Sequence, residues 1–83
     1  MAEVIITTEG QNGFDAAPRT IQARMLRIFE RLENWPQVSG AKLMTGRLLG
    51  CYRIRTGDYR IVFHVDGDRV VINKIGHRKD IYK

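Results

Sequence analysis

From Ile21 onward the apolar residues fall at Ile21, Met25, Ile28, Phe29 and Leu32. Those steps draw a single stripe along a helix. Arg24, Arg27, Glu30, Arg31 and Glu33 fill the positions between, so one face suits a core and the other suits water. Pro18 is placed to start the helix, where its missing N–H is harmless. Pro36 ends it, because it disfavours helical geometry at Trp35. Beyond Gly46 the period falls to two. Residues 49–55, 59–65 and 69–75 then read as strands joined by the turns Thr56-Gly57-Asp58 and Asp66-Gly67-Asp68. Upstream, the β-branched run Val4-Ile5-Ile6-Thr7-Thr8 predicts a first strand. Gly10-Gln11-Asn12-Gly13 reads as a break, Phe14-Asp15-Ala16-Ala17 as a short helical turn, and residues 37–46 as a loop.

The order is one strand, one or two helices, and a three-stranded antiparallel meander. That is an α+β domain in two layers, with the helical stripe covering one face of the sheet. The 83 residues allow one domain, 1–83. No apolar run reaches the length of a membrane span. The opening residues are too few and too acidic for a signal peptide. The lone cysteine, Cys51, has no partner for an internal disulfide and reads as a small buried hydrophobe. These features lead us to expect a cytoplasmic protein.

Charge changes the picture through its distribution. Residues 1–41 carry four arginines against five acids, a net of −1, whereas residues 42–83 carry ten basic side chains against four acids, a net of +6. The second half is suited to a negatively charged partner. Strand alternation sharpens this. Tyr52, Ile54, Tyr59, Ile61 and Phe63 point one way and suit the helix stripe, which leaves Arg53, Arg55 and Arg60 together on the open face. Arginines crowded this way repel one another unless an anion sits among them, so they form a candidate phosphate site. Arg78 in the tail is a fourth candidate, with Lys74 nearby. Tyr82 is an aromatic of the kind that stacks on unpaired RNA bases.

The run Gly50-Cys51-Tyr52-Arg53-Ile54-Arg55-Thr56-Gly57-Asp58-Tyr59-Arg60-Ile61-Val62-Phe63 resembles the core of the RelE/ParE toxin superfamily. The ending Ile75-Gly76-His77-Arg78-Lys79-Asp80-Ile81-Tyr82 is similar to that family's closing motif. Phe29-Glu30-Arg31-Leu32, Trp35-Pro36 and Gly40-Ala41-Lys42-Leu43 match the segment before them, so the resemblance covers roughly residues 20–83. It implies a compact sheet with helices on one side, and an antitoxin partner that wraps and blocks the toxin. For the RelE branch it implies cleavage of mRNA in the ribosomal decoding site. That branch carries two basic residues on the first meander strand, an arginine in a Tyr-Arg pair on the next, an arginine opening the tail and a tyrosine after it. The matching positions here are Arg53, Arg55, Arg60, Arg78 and Tyr82. The two strand positions are often lysine in the best-known branch and are both arginine here, the Arg78-to-Tyr82 gap is shorter, and a C-terminal helix is not expected.

The resemblance predicts a toxin that cuts mRNA by attack of a 2′-hydroxyl on the adjacent phosphate. Arg53, Arg55 and Arg60 would cradle that phosphate, Arg78 would contact it or the leaving oxygen, and Tyr82 would orient a base. Lys42, Arg47, Lys74 and Lys79 are further candidate RNA contacts. His77 is a candidate for proton transfer, and His64, on the Arg60 face further along its strand, is a lesser one. Neither a metal site nor a small-molecule cofactor is expected, since no cluster has ligand spacing. The expected partners are an acidic antitoxin, the ribosome and mRNA, with no membrane. One alternative is a ParE-like protein that binds DNA gyrase without nuclease chemistry. Another is a non-catalytic basic module captured by an antitoxin.

Overall fold

The computed structural model describes residues 1–81. Strand β1 (Glu3–Ile6) leads into helices α1 (Thr8–Ala16) and α2 (Arg19–Leu32). A short β2 (Lys42–Leu43) and one 3-10 turn (Gly46–Leu48) precede the hairpins β3 (Tyr52–Thr56), β4 (Tyr59–Asp66) and β5 (Arg69–His77). The sheet has five strands in the order β1-β5-β4-β3-β2. β1 runs parallel to β5, and every other pairing is antiparallel.

The helix stripe covers one face as the pattern predicts. Met25, Ile28 and Leu32 are buried against Ile54, Ile61, Phe63, Val70, Ile72 and Ile75. Trp35, Tyr52 and Phe63 add to this layer, with ring centroids 4.7–5.5 Å apart. Such pairs contribute about 0.5–1.5 kcal/mol each beyond burial.

Three local expectations need correction. Gly10 to Gly13 is the middle of a helix, not a break. Thr7 caps it, its hydroxyl oxygen accepting from the Gly10 N–H at 3.1 Å. Gly10 and Gly13 share one side of α1 and let it lie directly on β5. A Cβ at Gly10 would stand 2.8 Å from the Ile72 carbonyl oxygen, and one at Gly13 would overlap the Ile75 carbonyl. Residues 37–46 are not all loop, since Lys42 and Leu43 pair with Arg53 and Tyr52. Finally, β5 runs on to His77 and contains a bulge. Val62 pairs with Lys74 but Phe63 pairs with Ile72, so Asn73 is an extra residue.

Candidate functional site

The β3–β4 hairpin builds the site. Its register sets Arg55 directly opposite Arg60 and Arg53 opposite Val62. Directly opposed residues share a face, with Cβ atoms about 4.5–5.5 Å apart. Arg53, Arg55 and Arg60 therefore occupy the sheet face away from the helices. Lys42 joins them as the β2 partner of Arg53, and Lys74 as the β5 partner of Val62.

The three arginines differ in surroundings. Arg60 is buried, and its Nη1 donates to the Gly57 and Tyr59 carbonyls at 3.1 Å each. It is not the open-face side chain that alternation predicts, because the tail folds over it. Arg55 is exposed. Arg53 is half-buried, and its Nε–H is buried with no hydrogen-bond partner. A buried donor left unpaired costs about 1–3 kcal/mol, more on a charged group. Among the described residues none of the three pairs with a carboxylate.

A small apolar lid lies across the same face. Val62 is 1% exposed and Ile81 2%, yet neither belongs to the core under the helices. A Cβ at Gly76, the β5 partner of Arg60, would come within 3.4 Å of Ile81 Cδ1. Ile81 thus packs over the Arg60 end of the face. The tail is pinned where it leaves the sheet, with the Arg78 N–H donating to the Asp58 carbonyl at 2.7 Å and the Ile81 N–H to the His77 carbonyl at 3.0 Å. This places Arg78 beside the β3–β4 turn, where its exposed guanidinium stands 3.7 Å from the Asp58 carboxylate. A pair so exposed is worth little and is easily exchanged for another anion.

The remaining candidates differ in their surroundings. His77 is opposite Tyr59, with the two rings edge-to-face at 5.5 Å, so it faces the helix layer and not the arginines. Its Nδ1 accepts from the Lys79 N–H at 3.1 Å. Arg47 and Lys79 are exposed, on the 3-10 turn and the tail. Lys74 leans toward Glu9 of α1, at 3.9 Å. Tyr82 lies outside the described residues. Among the described residues no cluster of three or more His, Cys, Asp or Glu could hold a metal, and no helix is long and apolar enough to cross a membrane.

The open face also carries His64, the lesser proton-transfer candidate, with side-chain partners that the pattern did not assign to it. The His64 Nδ1 meets the Asn73 side-chain amide, 3.0 Å from Oδ1 and 2.8 Å from Nδ2. Asn73 Nδ2 in turn lies 4.0 Å from Cys51 Sγ. Cys51 is half-buried and is not the fully buried hydrophobe its setting suggested. The bulge brings Asn73 here. The signal was present in the apolar spacing, since Val70 and Ile72 are two apart but Ile75 is three further on, which requires one residue out of phase.

Comparison with known proteins places the chain and its fold. The model of the family described as ParE toxin of type II toxin–antitoxin systems matches residues 3–82. Toxin RelE3 of Methanocaldococcus jannaschii is 37% identical over 68 residues, which cover 78% of this chain and 77% of that protein. The toxin–antitoxin complex RelBE2 from Mycobacterium tuberculosis superposes with a TM-score of 0.80 at 26% identity, covering 93% of this chain and 98% of the matched one. The RelB–RelE complex from Methanococcus jannaschii does so with a TM-score of 0.77 at 28% identity, covering 94% of each. The isolated RelE toxin of E. coli, at 16% identity and a TM-score of 0.74, shares the fold, covering 93% of this chain and 84% of its own.

Proposed function

This chain belongs to the ParE toxin family within the RelE/ParE superfamily and is a RelE-like toxin of a type II toxin–antitoxin system, and from that premise we propose that it is an endoribonuclease that cuts mRNA on the ribosome. The observation that carries the reading is the Arg53, Arg55 and Arg60 row, with a buried Arg53 N–H that lacks an acceptor. A phosphate oxygen would accept from the Arg53 and Arg55 guanidinium groups at this face and relieve the repulsion between them. The same groups would then meet the negative charge that grows as a 2′-hydroxyl attacks phosphorus. One preorganised donor of this kind is worth roughly 10²–10³ in rate. Arg78 would exchange its exposed Asp58 contact for the substrate, and Lys42 would extend the basic track toward β2. Its partner would be a cognate acidic antitoxin, as the complexes among its structural relatives suggest.

Primer extension on cellular mRNAs after induction tests this. The parent should produce new 5′ ends within translated reading frames, and Arg55→Ala should produce none while accumulating as folded protein. A ParE-like toxin acting on gyrase would instead leave mRNA intact and trigger a DNA-damage response.

A further inference from the structure

An all-arginine phosphate site leaves one chemical task undone. Arginine stays protonated, so Arg53, Arg55 and Arg60 stabilise charge but cannot take a proton from the attacking hydroxyl. A second group on the same face is suited to that step. His64 shares the face of Arg60 and Val62 on β4. Counting one pair past Tyr52 and Phe63 puts it opposite Cys51 and diagonal to Arg53. Diagonal neighbours are about 7–8 Å apart, within reach of long side chains.

We propose that His64 is the proton acceptor of the cleavage reaction, with Asn73 as its positioning residue. The inference rests on the ribonuclease reading above. The Asn73 amide lies edge-on to the ring, with both Oδ1 and Nδ2 near Nδ1. The proposed role uses the orientation in which Oδ1, 3.0 Å away, accepts the Nδ1 proton, with Nδ2 also 4.0 Å from Cys51 Sγ. That bond leaves the Nε2 lone pair free, and it persists when the ring becomes an imidazolium. No partner for Nε2 is found among the described residues. By register the charged and titratable groups on the face of His64 are Arg53 and the Cys51 thiol from β3, Asp66 two residues along its own strand, and Lys74 and Arg69 from β5, Arg69 being the ladder partner of Asp66 and 3.4 Å from the Glu3 carboxylate of β1. The β5 bulge exists at the one residue that holds the ring, as bulges near reactive sites commonly do.

In the step itself the 2′-hydroxyl proton passes to His64 Nε2 while the 2′-oxygen bonds to phosphorus. The P–O5′ bond breaks, and the 5′-oxygen leaves with its electron pair and takes a proton from water. The imidazolium then returns its proton to the hydroxide so formed. The product is a 2′,3′-cyclic phosphate and a 5′-hydroxyl end.

The test is single-turnover cleavage of mRNA bound to programmed ribosomes, with added imidazole as the probe. His64→Ala should slow cleavage about 10²–10⁴-fold, and free imidazole should restore at least a tenfold part of the loss. Asn73→Ala should lower kcat with little change in KM. Arg55→Ala should also be slow, but imidazole should not help it. Should His64→Ala melt, His64→Gln fills the site and must show the same loss. Full activity in either His64 variant, or a folded His64→Ala that imidazole does not rescue, overturns the proposal while the phosphate site stands. A parent that cuts no mRNA overturns both.

Discussion

At the scale of single residues, function and stability pull against each other. Arg53 keeps a buried N–H unpaired, an arrangement that folding alone would not favour. Replacing it with methionine removes that donor and keeps an aliphatic stem opposite Val62 in the strand pair. Arg53→Met should therefore melt at or above the temperature of the parent and cut mRNA at least a hundredfold more slowly. Thermal melts and cleavage rates on the same preparations check this. A clear fall in Tm would show that Arg53 serves the fold instead. Arg60 is the opposite case. Its two carbonyl bonds tie the β3–β4 turn, so removing it would disturb structure and site together, which makes Arg55 the cleaner probe.

At the scale of elements, the two glycines of α1 decide how the sheet ends. β1 pairs with β5 only from Glu3↔Arg69 to Ile6↔Ile72. Beyond Ile72 the β5 edge would be bare, and α1 covers it by lying almost on its backbone. Gly13→Ala should force the helix off and lower stability by about 1–3 kcal/mol or more, as overpacking does. For a domain of this size each kcal/mol shifts Tm by roughly 4–8 °C, readily seen in a melt. An unchanged Tm would mean that α1 is free to move. This contact also shows where sequence reading stops. A helix carrying two glycines three apart has poor propensity, and local rules read it as a turn. It forms because Thr7 caps it and because packing on β5 outweighs propensity. The α2 stripe and the strand alternation, being periodic, were legible, and so was the grouping of Arg53, Arg55 and Arg60 on one face. The burial of Arg60 was not, since it depends on where Ile81 folds back. The Asn73 bulge was legible in principle, through the broken spacing of Val70, Ile72 and Ile75.

At the scale of the molecule, the two layers divide the work. The helix side supplies the apolar core that holds the sheet rigid. The other side presents cations from β2, β3, β4, β5 and the tail, with few carboxylates to offset them. Recognition of RNA by such a face is electrostatic in large part, so it should weaken steeply with salt. The most direct test of the account is cleavage of ribosome-bound mRNA by the purified protein, with Arg55→Ala measured beside it at matched ionic strength. The account predicts discrete cuts by the parent, and a loss of at least a hundredfold in the variant without a change in melting temperature. Equal cleavage by the two proteins would contradict it.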